Sequence, residues 1–265
     1  MIRIYMSQHK DLFKKMVELE EAETPYVLAS VFMVNGSSSG KVGDKALYDE
    51  NGRRIIGYIG GGCIENRVAA TAKESLQDGE PKIVNVDLDS DQMEMGIPCG
   101  GYMSVIVEPK TKVPTLLVRG MGSVVEALSQ IAHLLKIKVI IQTPENEVDR
   151  FPNADQIITD PLDLEEINES IDFFILAAHH RDDHKQTLAA LEAGIPFVAV
   201  VASKKKANII LEYLKENDVK DKDLKRFHSP AGLDLNAKYP EEIALSIMSE
   251  IVMLHNGGTG MKMSI

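Results

Sequence analysis

Cysteine is scarce in this sequence: only Cys63 and Cys99 occur among 265 residues. Two thiols cannot build a disulfide scaffold, and they fall short of a four-cysteine zinc or iron–sulfur site. Both are read as free thiols. Long apolar runs are missing too. No stretch approaches the roughly 18 residues of a membrane-spanning helix, and Met1-Ile2-Arg3-Ile4 has neither the apolar core nor the small-residue cleavage site of a secretory signal. These absences predict a soluble, cytoplasmic protein with no membrane partner. Basic residues are outnumbered, 29 Lys and Arg against 40 Asp and Glu, for a formal charge of −11. A general nucleic-acid surface needs basic patches that replace counterions. Nucleic acid is therefore not an expected partner, and any anion must be held by a local site. No His-Glu-x-x-His pair or P-loop occurs, so zincin and kinase readings lose their main supports.

What is present is enough for two domains, since 44% of the residues are apolar and the length exceeds that of one average domain. Residues 7–23 carry an amphipathic helical stripe through Leu12, Phe13, Met16 and Val17. Residues 26–34 read as a buried strand that ends in an exposed loop, Gly36-Ser37-Ser38-Ser39-Gly40. Segments 46–48 and 54–58 flank Asp49-Glu50-Asn51-Gly52, and Asn-Gly is a strong hairpin signal because both turn residues take positive φ. A glycine run then opens a helix over 64–76, followed by strands near 82–88 and 102–108. Beyond the polar, proline-ended joint at 110–114 the pattern changes to short β-branched strands alternating with helices, which predicts a parallel, doubly wound sheet. The expected organisation is α/β: an α+β domain over 1–110, a doubly wound parallel-sheet domain over 115–255 and a flexible tail over 256–265.

Four segments carry chemistry. Gly60-Gly61-Gly62-Cys63-Ile64-Glu65 and Gly96-Ile97-Pro98-Cys99-Gly100-Gly101 surround each thiol with exposed backbone, a setting suited to ligand contact, against the alternative of a buried, inert cysteine. Arg119-Gly120-Met121-Gly122-Ser123 joins a strand to a helix start, the parts of a loop whose amides meet a pyrophosphate. Val125 replaces its third glycine, however, and the next strand ends in Gln142-Thr143 rather than a ribose-binding acid, so a tight packing turn is the competing reading. Ser203-Lys204-Lys205-Lys206 also opens a helix; there Ser203 caps while the lysines face a phosphate or simply solvent. Finally, His179-His180-Arg181-Asp182-Asp183-His184 closes a strand, and His180 with His184 supplies two potential metal ligands without an evident third.

Taken in order, Gly36-Ser37-Ser38, Gly60 to Glu65, Gly96 to Gly101, the Gly120-x-Gly122 loop, Ala202 to Lys206, and Pro230-Ala231-Gly232-Leu233-Asp234-Leu235 before Pro240-Glu241-Glu242 resemble the XdhC/CoxI family, the xanthine dehydrogenase accessory proteins. The resemblance implies an N-terminal XdhC-type domain joined to a Rossmann-like domain. It also implies a non-enzymatic role: binding a molybdopterin-type molybdenum cofactor, supporting its sulfuration, and delivering it to an apo-molybdenum hydroxylase such as xanthine or aerobic carbon monoxide dehydrogenase. The cofactor contacts it implies are Gly61, Gly62, Cys63, Glu65, Cys99, Gly100, Gly101, Gly120, Gly122, Ser203 and Lys204, with a nucleotide in the Rossmann-like domain left open. The implied partners are the apoenzyme and a cysteine desulfurase, with a homo-oligomer as an open alternative. Ser123 and Thr143 stand where many relatives carry His and Asp. Two other classes stay open, an NAD(P)-dependent oxidoreductase and a nucleotide-binding scaffold or regulatory protein.

Overall fold

The apolar stripe at the start of the chain lies on helix α1 (Ile2–Glu21), where Leu12 and Leu19 are buried against Tyr26 and Leu47. The hydroxyl of Tyr26 donates to Glu20 at 2.9 Å, closing the helix onto the strand that follows. In the computed structural model residues 2–36, 38–87, 101–159, 164, 170–178 and 182–263 are described. The chain divides into two compact units, Met1–Lys112 and Val113–Ile265.

In the first unit, β1 (Tyr26–Gly36) pairs antiparallel with β2 (Lys45–Tyr48), which pairs with β3 (Arg54–Gly57) through the Asn51-Gly52 turn. Helix α2 (Cys63–Asp78) is followed by β4 (Lys82–Asp87) and β5 (Gly101–Lys110), completing an antiparallel sheet of order β3-β2-β1-β5-β4. Alternation along β1 sorts its side chains: Val27, Ala29 and Val31 join the core under α2, and Tyr26 and Leu28 face α1. The loop expected to be exposed departs from that reading. Gly40 is buried, because a Cβ there would collide with the carbonyl of Ile59.

The second unit contains β6 (Thr115–Gly120), α3 (Ser123–Leu134), β7 (Lys138–Gln142), a 3-10 turn (Glu145–Arg150), β8 (Gln156–Ile158), β9 (Phe173–Ala177), α4 (Asp183–Glu192), β10 (Phe197–Val200), α5 (Lys204–Glu216), the short α6 (Asp221–Leu224), β11 (Phe227–His228) and α7 (Pro240–His255). All five strand pairings are parallel, in the order β8-β7-β6-β9-β10-β11. Counted from β6 this is the 3-2-1-4-5-6 order of a doubly wound dinucleotide fold, whose topological switch lies between β6 and β9. One face of the sheet packs Leu116, Val118, Val139 and Ile141 against α3 and α7. The other packs Leu117, Ile140, Phe174 and Leu176 against α4 and α5. No helix among the described residues is long and apolar enough to cross a membrane.

Helix α7 is held at its start by Glu242, which accepts the N–H of Lys238 at 2.8 Å and of Tyr239 at 3.1 Å. Those bonds favour the ionised carboxylate and hold it below its ordinary value of 4.5. A depressed folded-state pKa stabilises above the unfolded value and loses that contribution as pH falls through the folded one. Thermal melts should therefore show Glu242→Gln below wild type at pH 7, with the gap closing in acid below about 4.5. A gap that persists at the acid end would assign the difference to packing.

Candidate functional site

The hairpin places more at the first thiol than the glycine run alone suggests. Gly52 has φ +72, and a Cβ there would lie 2.5 Å from the carbonyl oxygen of Ala69, so the turn rests directly on α2. Strand β3 then carries Arg54, whose guanidinium meets Glu65 at 2.8 Å and lies 6.0 Å from the Tyr58 ring. Ser39 accepts the N–H of Gly61 at 3.3 Å from the opposite loop. Cys63 is the first residue of α2, half-buried, and Gly62 precedes it at φ 62 with no side-chain cap. The N–H groups of Gly62, Cys63, Ile64 and Glu65 have no acceptor among the described residues. A Cβ on Gly62 would meet no described residue within 4 Å, so the space beside that residue is open. The Tyr48 hydroxyl, on the strand paired with β3, is buried without a partner among the described residues, and burial followed by the nearby Glu65 charge pushes its pKa up. Four free donors, a thiol and an orphaned phenol form a cradle suited to an anion beside a soft ligand. Arg54, Tyr58 and Tyr48 are absent from the sequence reading; the hairpin register is the signal that would have found them.

Cys99 and Gly100 lie outside the described residues. Gly101 opens β5 opposite Gly36, and Asp87 at the end of β4 pairs with Tyr102. Both described flanks of that segment therefore stand at the sheet end where β1 finishes and the Ser38–Gly40 loop meets Gly60 and Gly61.

In the second unit Gly120 and Gly122 do leave β6 at the carboxyl edge, and Ser203 and Lys204 leave β10 at the same edge. Their local roles differ from a pyrophosphate loop. A Cβ on Gly120 would overlap the Ala177 carbonyl, so this glycine lets β6 and β9 close at the switch. The N–H of Gly122, the donor a phosphate would take, instead bonds Glu147 at 3.0 Å. Arg150 locks that carboxylate in place, meeting Glu147 at 3.2 Å, Glu126 at 2.9 Å and the Ser123 hydroxyl at 3.1 Å. The anion at this loop is thus the protein's own. Ser203 caps α5 through the N–H of Lys206 at 3.3 Å, while the Lys206 ammonium pairs with buried Asp183 rather than facing a phosphate. Lys204 stays exposed. The His184 ring packs edge-on against Tyr213 with centroids 4.4 Å apart, and His180 lies outside the described residues. Among the described residues no three His, Cys, Asp or Glu side chains gather as they would to hold a metal ion.

The family model described as the XdhC Rossmann domain matches residues 116–251, and that of the XdhC and CoxI family matches residues 19–87. The chain belongs to the XdhC family. Among curated relatives, the uncharacterized protein YqeB of Escherichia coli is 28% identical over 94% of this chain, which spans 47% of YqeB. The E. coli molybdenum cofactor insertion chaperone PaoD is 24% identical over 41% of the chain and 34% of its own length. A probable xanthine dehydrogenase subunit of Bacillus subtilis is 22% identical, covering 88% of the chain and 94% of that protein. A crystal structure of a xanthine dehydrogenase from Bacillus halodurans shares the fold with a TM-score of 0.50 at 23% identity, over 92% of this XdhC-family chain and 96% of that one.

Two substitutions separate packing from ligand binding at the β6 turn. Gly120→Ala should destabilise by about 1–3 kcal/mol through overpacking at β9, and Glu147→Ala by about 1 kcal/mol through loss of the charge-assisted bond. NAD titrated into wild type should give no heat at concentrations that saturate ordinary dehydrogenases; saturable binding with unchanged affinity in Glu147→Ala would refute the internal-anion reading.

Proposed function

We propose that this XdhC-family protein is an accessory factor for a molybdenum hydroxylase, holding a molybdopterin-type cofactor at the start of α2 and handing it to the apoenzyme. The observation that carries the reading is the conjunction at Cys63: a half-buried thiol on the first residue of a helix whose four leading amides are unpaired, beneath open space at Gly62. The donor set fits the group. Backbone amides and a helix N-terminus bind phosphate without a bulky cation, and a thiol is the side chain matched to soft metal and sulfur chemistry. When bound, the cofactor supplies the redox-active molybdenum and dithiolene that the client hydroxylase uses.

The chain's own contribution is holding and shielding. Amides of residues 62–65 take the anionic end. The Cys63 thiol stands beside them, and the Arg54–Glu65 pair fixes the rim, with Tyr48 available as a buried donor. Cys99, Gly100 and Gly101 complete the proposed contacts. Handover requires the hold to be reversible, and backbone hydrogen bonds with one thiol contact suit that better than a closed multidentate cage. Support comes also from PaoD, named as a molybdenum cofactor insertion chaperone. Sulfuration of the held cofactor would add a cysteine desulfurase as a second partner.

Anaerobic purification with its client, followed by pterin and molybdenum analysis, tests this. Cys63→Ala removes a small side chain at about 1 kcal/mol, yet bound pterin should fall about tenfold or more, the scale of one strong contact. Gly61→Val is a second probe: a Cβ at Gly61 meets only the Tyr58 hydroxyl at 4.0 Å, so folding tolerates it while the cradle is obstructed. Undiminished pterin content and undiminished reconstitution of the apo-hydroxylase in both variants would overturn the assignment.

A further inference from the structure

A cavity of about 410 Å³ opens beside the carboxyl end of β10, between the start of α5 and the segment 230–237 that connects β11 to α7. None of the contacts described above uses it. Its size is that of a small-molecule site, and its walls are fixed before any ligand arrives. Glu250 accepts the N–H of Gly232 at 2.8 Å and lies 2.8 Å from His228 Nδ1. Ser246 donates its hydroxyl to the Leu233 carbonyl, and Leu233 returns its N–H to Ser246 at 3.2 Å. Gly232, at φ +97, is seated so closely on Ser246 that a Cβ would collide with it. The N–H of Ala231 reaches Val200 on β10 at 3.1 Å. This segment is therefore a built wall rather than a loose connection.

With the frame satisfied, the groups left over on the lining stand out. The amides of Asp234, Asn236 and Ala237 have no acceptor among the described residues, and neither the Asp234 carboxylate nor the Lys204 ammonium has a partner there. Between these polar groups the lining is small and apolar: Val201, Ala202, Pro230, Ala231, Leu235 and Ile243. An ammonium with free amides recognises a phosphate. An ionised carboxylate is an acceptor only, with two oxygens side by side, and so matches a ligand edge that presents two adjacent N–H donors. Flat apolar walls between them suit an aromatic ring. The Gly120 loop cannot hold the other half of a dinucleotide while Glu147 occupies the Gly122 amide.

We propose that this cavity binds a monophosphorylated heterocycle bearing the 2-amino-4-oxopyrimidine edge that guanine and pterin share, with Lys204 at the phosphate and Asp234 at the amino edge. The site belongs to the Val113–Ile265 unit and the Cys63 cradle to the Met1–Lys112 unit; where the ligand is the pterin, its biological meaning rests on the cofactor reading above.

Calorimetric titration of the full chain tests it with defined probes: GMP, AMP, guanosine and 6-hydroxymethylpterin monophosphate. GMP should bind about tenfold more tightly than AMP, which lacks both donors, and several-fold more tightly than guanosine. Asp234→Asn should bring GMP and AMP close to parity, and Lys204→Ala should bring GMP close to guanosine; both side chains are exposed, so the fold is retained. A tighter pterin phosphate that Asp234→Asn weakens identifies the pterin as the source, and a tighter GMP identifies the nucleotide. Absence of binding by every probe at millimolar concentration, equal affinity for GMP and AMP in wild type, or indifference to both substitutions overturns the proposal. Cys63→Ala should leave the GMP, AMP and guanosine titrations unchanged. Loss of binding in that variant would move the ligand to the first unit and overturn the cavity assignment while leaving the cofactor reading intact.

Discussion

A helix begins with backbone N–H groups that its own turns cannot satisfy, and in this protein the identity of whatever takes them organises both units. At α7 the acceptor is the Glu242 carboxylate, at α5 the Ser203 hydroxyl, and at the loop before α3 the carboxylate of Glu147, delivered from the 3-10 turn beyond β7. At α2 the Ser39 hydroxyl takes the N–H of Gly61, one residue before the N-cap, and Gly62 itself has no side-chain cap. That helix also starts with the thiol. The same constraint is met at the N-cap N–H by a carboxylate of the chain at Tyr239 and Gly122, and by no described residue at Gly62. It also explains why a parallel sheet with the strand order of a dinucleotide fold need not bind a dinucleotide.

Glycine is the most legible residue in the sequence and the most ambiguous. Gly120 and Gly122 read as a pyrophosphate loop because a strand, two glycines and a helix start are the parts of one. Gly120 is in fact demanded by the Ala177 carbonyl on β9, and Gly122 by a positive φ of 82. Gly52 is spent on seating a hairpin against Ala69, and Gly232 on seating a segment against Ser246. Sequence position cannot tell a glycine that admits a ligand from one that admits a neighbouring carbonyl. The Gly60–Gly62 run differs from the Gly120 loop in what its amides meet: no described residue accepts the N–H of Gly62, whereas Glu147 takes that of Gly122.

The long periodic elements are legible for a physical reason. β6, β7, β9 and β10 are buried on both faces and so read as continuous apolar runs, and α3 and α5 carry strong apolar stripes. β8 and β11 are not legible, because three residues and two residues at the sheet edges carry no period. The side chains that define the sites are hidden for another reason. Glu147 is 25 positions from the amide it meets, Arg54 is 11 from Glu65, and Glu250 is 18 from Gly232. Each is an ordinary surface charge in the sequence and acquires meaning only through strand order or helix docking. Asp234 sits inside a recognisable motif yet shows no role there, since its lack of a partner is a property of the folded segment.

The polar side chains at the switch point extend the same argument. Arg119 at the end of β6 donates to Gln142 at the end of β7 and to Gln186 on α4 at 3.1 Å, with its guanidinium 5.8 Å from the Phe174 ring. Gln142 thus stands near where a dinucleotide fold keeps its ribose acid, and it accepts from an arginine of the neighbouring strand. No acid stands at this strand end to grip a ribose diol, and pairing the Gln142 amide to Arg119 makes a brace between two strands and a helix. With Glu147 at the Gly122 amide and Gln142 bound to Arg119, the two positions a dinucleotide would use at the β6–β7 half of the carboxyl edge are taken by internal contacts. The cavity at β10 and the segment after β11 holds the Asp234 carboxylate and the Lys204 ammonium, neither with a partner among the described residues, so the ligand chemistry proposed for this unit lies in the second half of the sheet.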